Sequence, residues 1–212
     1  QPTLATVVEH WTERSAGVLV ASPANPTGTL IAERALSEIA GFVRQRGGRL
    51  IVDEIYHGLT YDCDDSTALG CGDDLVIVQS FSKYFNMTGW RLGWLIVPEN
   101  MVRDIEKLAQ NLYISPSTPA QYAALAAFTP ETTAILEERR DAFRRRRDFL
   151  APALQALGFH ITAKPDGAFY LYADVSKFTD DSSYFARRML EEAHVAATPG
   201  IDFDPIHGRH FL

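Results

Sequence analysis

Short apolar runs that alternate with a helical segment constrain the fold of this chain more than any other feature. Four continuous runs have the length and the β-branched content of buried strands. They are 17–22 (GVLVAS), 49–56 (RLIVDEIY), 75–81 (LVIVQSF) and 93–98 (GWLIVP). Between the first two, apolar residues on one helical face predict a helix from about Leu30 to Gly47, with Thr29 as its N-cap. Strand, helix and strand in this order predict an α/β fold with a largely parallel sheet.

The second half of the chain changes pattern and predicts a separate, smaller domain. Residues 99–157 are mostly helical, and a long charged helix is predicted from Glu131 to Leu150. Strand-like stretches after Gly158 and a helix near residues 182–193 predict an α+β unit. We therefore predict a large, mostly parallel-sheet domain that includes residues 1–130. Residues 131–212 would form a linker helix and part of a small C-terminal domain.

Composition and charge exclude several classes of protein. A formal net charge of -7 disfavours nucleic acid as a partner. The arginines near residue 145 stand beside acidic residues, which is typical of a solvated helix. No apolar run reaches the roughly 18 residues of a membrane span, and the first residues lack a secretory signal pattern. The expected location is the cytoplasm. His207 and His210 are interpreted as loop histidines, and no metal site is predicted.

Lys83 follows the third predicted strand and has neighbours that suit amine chemistry. Ser80, Ser82 and Thr88 supply hydroxyl groups, and Arg91 supplies a guanidinium that can hold a phosphate with two hydrogen bonds. An amine in such surroundings suits a lysine that forms a Schiff base next to a bound phosphate. The alternative is an ordinary surface lysine at the end of a strand.

Polar residues also stand at the ends of the first two predicted strands. Asp53 interrupts a buried run, either as part of a structural ion pair or as the partner of a protonated pyridine nitrogen. Tyr56 could donate to a phenolate-like oxygen on the same ring. Asn25, in the turn SPANPTG, could bind a ligand oxygen. Since parallel strands collect ligands at their carboxyl ends, these side chains are expected to converge with Lys83.

The motifs NPTG, DEIY, SFSK and GWRLGW occur in this order, with PDGAFYLYADV and TPGIDF further along. In this order and spacing they resemble the fold-type I pyridoxal-phosphate (PLP) enzymes of aminotransferase class I/II, over essentially the whole chain. The resemblance implies that Lys83 forms the Schiff base with PLP. It also implies that Asp53 pairs with the ring nitrogen and that Asn25 and Tyr56 hold the ring oxygen. Ser80, Ser82 and Arg91 would bind the phosphate.

The same resemblance implies a function and partners. An aminotransferase moves an amino group between an amino acid and a 2-oxo acid, and full-length relatives are expected to be homodimers. The alternatives are a PLP-dependent carbon-sulfur β-lyase, an aminotransferase-like sensor domain of a transcription regulator, and a catalytically incomplete fragment. A winged-helix pattern in the N-terminal region would favour the regulator.

Both ends of the chain are abrupt when compared with that family. The first ten residues show neither a helix cap nor a strand pattern, and GRHFL is interpreted as the start of a strand. We therefore expect a C-terminal fragment that lacks the N-terminal part and the last strand or strands, and that is inactive or incomplete by itself. The arginine that binds the substrate carboxylate is expected beyond Leu212, and Arg209 is not assigned that role.

Overall fold

The computed structural model describes residues 1–63 and 66–212, which form two compact units. Unit 1 consists of Gln1–Ala24, Thr29–Asp141 and Asp166–Ala168. Unit 2 consists of Asn25–Gly28, Ala142–Pro165 and Phe169–Leu212. Among the residues described, no helix is both long and apolar enough to cross a membrane.

Unit 1 is built around a four-stranded sheet with the strand order β1-β2-β3-β4. The pairs β1–β2 and β2–β3 are parallel, and β4 runs antiparallel to β3. The predicted mostly parallel α/β sheet is therefore confirmed. The elements are α1 (Leu4–His10), β1 (Gly17–Ala21), α2 (Glu33–Gln45), β2 (Arg49–Asp53), β3 (Val76–Ser80), β4 (Gly93–Ile96), α3 (Glu99–Leu112), α4 (Thr118–Ala126) and α5 (Pro130–Leu157), of which residues after Asp141 belong to unit 2.

The main core of unit 1 lies between the sheet and α2. Leu36, Ile39 and Val43 lie on one face of α2 and are at most 1% exposed. They belong to the same apolar cluster as Leu50 and Val52 of β2, which alternate along the strand as a pleated sheet requires. This packing confirms the amphipathic pattern that predicted a helix between the first two strands.

The start of α2 differs from its prediction. The helix begins at Glu33 with Ala32 as its N-cap, so the expected Thr29 cap is wrong. The reason is a tertiary hydrogen bond: the Ile31 N–H donates to Ser22 Oγ at 3.0 Å, which holds this segment against the end of β1. The first residues are also helical, contrary to expectation, because Thr3 Oγ1 accepts from the Thr6 N–H and caps α1.

Glu54, directly after β2, is a buried carboxylate that the sequence interpretation passed over in favour of Asp53. It is 1% exposed. Its oxygens accept from Ala68 N at 2.6 Å, from Thr67 Oγ1 at 2.9 Å and from Gln79 Nε2 at 3.0 Å. These bonds connect the end of β2 to β3 and to the start of the 3-10 helix Ala68–Cys71. A buried carboxylate is tolerated here because donors surround it.

We predict that Glu54→Ala lowers the free energy of unfolding of the protein by about 3 kcal/mol or more, because it leaves several buried donors without an acceptor. Glu54→Gln, which keeps one acceptor oxygen, should cost less. The matched control is Glu38→Ala on the exposed face of α2, where a surface ion pair is worth well under about 1 kcal/mol. Urea unfolding followed by circular dichroism measures all three, and equal losses for Glu54→Ala and Glu38→Ala would contradict the prediction.

A two-pronged ion pair joins α2 to the segment before β3. Arg44 Nε and Nη2 donate to the two carboxylate oxygens of Asp74 at 2.8 and 2.7 Å. The hydrogen bonds from Arg44 lower the pKa of the Asp74 carboxyl. An aspartate whose pKa is lowered in the folded state stabilises that state above its unfolded pKa of about 3.9, and this stabilisation is lost as the pH falls further.

Asp74→Asn should therefore lower the thermal unfolding midpoint at pH 7. The difference from the wild type should shrink as the pH is lowered from about 4 towards 3, where the wild-type carboxyl also becomes neutral. The effect is small because both side chains are partly solvated. Asp73→Asn, an exposed neighbour, serves as the control. A difference that stays constant down to pH 3 would rule out this electrostatic origin.

Unit 2 combines the end of α5 with a two-stranded sheet and one further helix. The strands are β5 (His160–Ile161) and β6 (Ala173–Asp174), which pair antiparallel, and the helix is α6 (Ser182–Ala193). Asp181 caps α6 by accepting from the N–H groups of Ser183 and Tyr184, each at 3.0 Å. The helix predicted at residues 182–193 is confirmed. Within GRHFL the expected strand is wrong for Gly208–His210, which form a 3-10 helix, and Phe211 makes an isolated bridge to Asp174.

Candidate active site

The carboxyl ends of β1, β2 and β3 meet at one edge of the sheet. Ala21, Asp53 and Val78 are aligned across the three strands by their register. Beyond them the backbone remains paired, because Ser22 N donates to Asp53 O at 3.0 Å and Glu54 N donates to Val78 O at 2.9 Å. The loops that follow the three strands therefore begin at the same edge of the sheet.

Asp53 and Glu54 are adjacent but serve different surroundings. Asp53 is half-buried at the strand end, where its Oδ1 accepts from the Ile55 N–H at 3.0 Å and closes the turn that follows. Glu54, by contrast, is fully buried among its own donors. Successive side chains of an extended chain lie on opposite faces, so only one of the two acids can remain at the accessible edge. The structure gives that position to Asp53.

Tyr56 and Lys83 come together in the loops after β2 and β3. The strand predicted to run through Tyr56 ends at Asp53. Tyr56 lies in the turn that follows, and the residue is 3% exposed. Lys83 Nζ lies 5.3 Å from the centroid of that ring, which is the geometry of a cation–π contact. The lysine amine is thus held against a buried aromatic ring, in contrast to an ordinary surface lysine.

The loop that carries Lys83 is closed by a chain of hydrogen bonds. Ser80 Oγ accepts from Ser82 N at 3.0 Å, and Ser82 O accepts from Thr88 Oγ1 at 2.6 Å. Thr88 O in turn accepts from Arg91 Nη1 at 3.0 Å. Ser80, Ser82 and Arg91, predicted together as phosphate ligands, therefore belong to one hydrogen-bonded loop.

The return from this loop into β4 requires glycine at one position. Ser80 pairs with Gly93 in the β3–β4 register, and a Cβ atom on Gly93 would lie 2.6 Å from the carbonyl oxygen of Gln79. Arg91, two residues earlier, has a left-handed backbone with φ 53°, a conformation that is uncommon outside glycine and concentrated at functional sites. Gly93 therefore has a backbone reason for its position, whereas Arg91 is kept in spite of an unfavourable backbone conformation.

A cavity of about 630 Å³ opens beside Arg91 in unit 1. Its walls are the segment from Gly89 to Gly93 and the connection between α3 and α4. They comprise Gly89, Trp90, Arg91, Leu92, Gly93, Tyr113, Ser115, Pro116, Ser117 and Pro119. The exposed guanidinium of Arg91 therefore borders a space that can admit a small anionic ligand.

Asn25 is the one predicted ligand that lies outside unit 1. It is exposed in the turn after β1 and groups with Pro26–Gly28 in unit 2. The structure thus brings Tyr56 against Lys83 and joins Ser80, Ser82 and Arg91 in one loop of unit 1. The contribution of Asn25 stays a prediction.

The sequence profile of the family described as aminotransferase class I and II matches residues 3–209. The chain belongs to this family. Its fold-type I PLP relatives account for the order of NPTG, DEIY, SFSK and GWRLGW, and the family is PLP-dependent. The predicted resemblance is thereby confirmed.

Named relatives and solved structures agree with this assignment. The chain is 46% identical over 198 residues to a valine–pyruvate aminotransferase of Mycobacterium tuberculosis, covering 92% of this chain and 51% of the relative. It is 36% identical over 195 residues to an aspartate/prephenate aminotransferase of Thermus thermophilus, covering 91% and 50%. The crystal structure of an aminotransferase from Mycobacterium tuberculosis matches 100% of this chain and 55% of its own, with a TM-score of 0.96 and 45% identity. The chain thus spans about half the length of the curated relatives it matches.

The chemistry of the side chains in this region fits PLP. The cofactor carries an aldehyde, a basic ring nitrogen, a ring oxygen and a phosphate. Unit 1 offers the amine of Lys83 and the carboxylate of Asp53 at neighbouring strand ends. It also offers the phenol of Tyr56, while hydroxyl groups and a guanidinium belong to the Lys83 loop. Each group of the cofactor therefore has a side chain of matching chemistry.

Sequence reasoning missed Tyr84, the residue directly after Lys83. Its hydroxyl donates to Glu137 Oε1 at 2.6 Å, and its ring lies beside Gly58. Burial, and then the hydrogen bond to Glu137, raise the pKa of Tyr84 to about 12. The only local signal was a bulky aromatic residue next to the lysine, because its partner lies 53 positions away.

Two glycines of this loop give a matched test of its backbone. We predict that Gly93→Ala destabilises the protein by about 1–3 kcal/mol, because the new methyl group would overlap the Gln79 carbonyl. Gly89→Ala should be close to neutral, since a Cβ there meets no atom within 4 Å. Thermal unfolding of the two natural-length variants measures the difference, and a Gly93→Ala variant as stable as Gly89→Ala would contradict the contact.

Proposed function

We propose that the protein is a PLP-dependent aminotransferase that moves an amino group between an amino acid and a 2-oxo acid. The observation that carries the proposal is the amine of Lys83 against the buried ring of Tyr56, in the loop that also holds Ser80, Ser82 and Arg91. Membership of the aminotransferase family supports it. When bound, PLP supplies an electron sink that stabilises negative charge at the substrate Cα.

Lys83 has the central role in this proposal. Its amine would hold the cofactor covalently. During the reaction the same Lys83 Nζ would accept a proton from the substrate Cα and return it elsewhere. The contact with the Tyr56 ring limits the positions that Nζ can take, so the amine stays near the substrate.

The remaining residues bind and orient. Asp53 would accept a hydrogen bond from the protonated ring nitrogen, and its negative charge would keep that proton in place. Tyr56 would donate to the ring oxygen, the role that the family resemblance also gives to Asn25. The hydroxyl groups of Ser80 and Ser82 and the guanidinium of Arg91 hold the phosphate, for which an arginine provides a two-pronged, charge-assisted contact.

The first substrate pair to test follows from a relative's name. A valine–pyruvate aminotransferase is 46% identical to this chain, which favours valine as donor and pyruvate as acceptor.

The proposal includes a homodimer, which the exposed apolar side chains of α3 and α4 support, among them Leu112, Tyr122 and Leu125. It also includes a cytoplasmic location, consistent with Cys63 and Cys71 forming no disulfide.

Absorbance of the natural-length protein with added PLP tests the assignment of Lys83. The wild type should show a visible band that borohydride reduction abolishes, and peptide mass spectrometry should then find the reduced cofactor attached to Lys83. Lys83→Ala should lose the band and the activity, because no other amine takes its place. Lys107→Ala, which removes an exposed lysine on α3, is the control and should keep both. Labelling of a different lysine in the wild type would refute the assignment.

Asp53→Asn tests the electronic partner of the ring. The amide cannot stabilise the ring proton by charge, so kcat should fall by at least about 100-fold while the protein remains folded. Turnover is measured as 2-oxo acid formed from each donor with pyruvate as acceptor. Ammonia and pyruvate release from a sulfur amino acid would instead indicate a lyase. An Asp53→Asn variant with wild-type kcat would remove Asp53 from this role.

A further inference from the structure

Tyr84, Glu137 and Arg140 form a connected group that the proposed reaction does not yet use, here named the Tyr84 clamp. The Tyr84 hydroxyl donates to Glu137 Oε1 at 2.6 Å. The other carboxylate oxygen of Glu137 pairs with Arg140 Nη2 at 2.6 Å. Glu137 and Arg140 lie on the part of α5 that belongs to unit 1, as does Tyr84. The clamp therefore ties the residue after Lys83 to a long helix.

The ring of Tyr84 also contacts the turn that carries Tyr56. Gly58 has φ +86°, and a Cβ atom built on it would lie 2.8 Å from Tyr84 Cδ2. Tyr84 thus fills the space directly beside the Gly58 backbone, two residues after Tyr56. One side chain therefore contacts both α5 and the turn after β2.

Two contacts restrict the backbone of Lys83. The Lys83 carbonyl accepts from the Asn86 N–H at 3.0 Å, which closes a tight turn around the lysine. The next side chain, Tyr84, is fixed at both its ring and its hydroxyl. The Cα atoms of Lys83 and Tyr84 are joined by one peptide, so a shift of the Tyr84 backbone away from Glu137 would also displace the Cα from which the lysine amine reaches the Tyr56 ring.

The Tyr84 hydroxyl remains a donor to Glu137 at neutral pH. The raised pKa of Tyr84, about 12, means that the hydroxyl keeps its proton well above neutral pH. The phenol therefore acts as a constant donor, and it has no need to exchange protons with the reaction.

We propose that Tyr84 is a positioning residue for Lys83: through its hydrogen bond to Glu137 and its contact with Gly58, it holds the lysine amine over Tyr56. The inference rests on the proposed function, because it concerns the lysine that the reaction uses. Tyr84 touches neither substrate nor cofactor in this account and acts only through the backbone of Lys83.

The test compares Tyr84→Phe, Glu137→Leu and Glu137→Gln in the natural-length protein. Tyr84→Phe and Glu137→Leu remove the donor and the acceptor, respectively, whereas Glu137→Gln keeps an acceptor oxygen for the tyrosine. Tyr184→Phe, the same chemical change on an exposed residue of α6, is the matched control. Glu137→Leu and Glu137→Gln leave the Tyr84 ring beside Gly58, so they test the hydrogen bond even if Tyr84→Phe folds poorly.

Three readouts separate positioning from general stability. The first is the rate at which acetic anhydride labels Lys83 in the apoprotein, relative to Lys107. The second is the pH midpoint of the visible absorbance band after PLP is added. The third is the change in kcat compared with the change in KM, both measured with the amino acid that is the best amino-group donor. We expect Tyr84→Phe and Glu137→Leu to change the relative labelling rate, to shift the midpoint by at least about 0.3 pH unit and to lower kcat about fivefold with little change in KM.

Glu137→Gln should restore most of each readout, and Tyr184→Phe should match the wild type. If Tyr84→Phe unfolds at a lower temperature but keeps the wild-type labelling rate, absorbance midpoint and kcat, the residue is merely structural and the inference is wrong. A wild-type protein that neither binds PLP at Lys83 nor transfers amino groups would overturn the proposed function as well. A wild type that does both, with an unchanged Tyr84→Phe, would overturn only the positioning role.

Discussion

The parallel register of β1, β2 and β3 is the constraint on which the candidate site depends. It aligns Ala21, Asp53 and Val78, so the loops that leave the three strands begin at the same edge of the sheet. A shift of β2 by one residue would turn Asp53 into the interior and bring Glu54 to the edge, because side chains alternate along a strand. The buried hydrogen bonds of Glu54 oppose such a shift, since they are satisfied only in the observed register.

The loops that begin at this edge are held by polar contacts together with apolar packing, since Phe81 and Met87 of the loop after β3 are buried in an apolar cluster. Glu54 anchors the end of β2 to residues 67–68 and to Gln79. The loop after β3 is closed by hydrogen bonds among Ser80, Ser82, Thr88 and Arg91. Directional contacts together with packing fix the position of a side chain narrowly. They are suited to hold an amine and a phosphate-binding group in a defined relation.

Much of the fold could be predicted from the sequence, because the patterns are local. The four apolar runs became strands, and the predicted apolar face of α2 included Ile39 and Val43, which are buried. Element boundaries were less predictable. The hydrogen bond of Ile31 to Ser22 delays the start of α2, and Asp53 ends β2 by capping the next turn, so Tyr56 lies in a turn. Both effects depend on contacts that a window of sequence does not contain.

The sequence by itself determined the family and the candidate chemistry, since NPTG, DEIY, SFSK and GWRLGW are short motifs whose order survives without knowledge of the fold. Only the tertiary structure decided that Glu54 is buried among its own donors, that Lys83 lies over Tyr56, and that Tyr84 reaches Glu137. The physical reason is that strand order and helix packing create these contacts. Their partners are separated by up to 53 residues, beyond the reach of any local pattern.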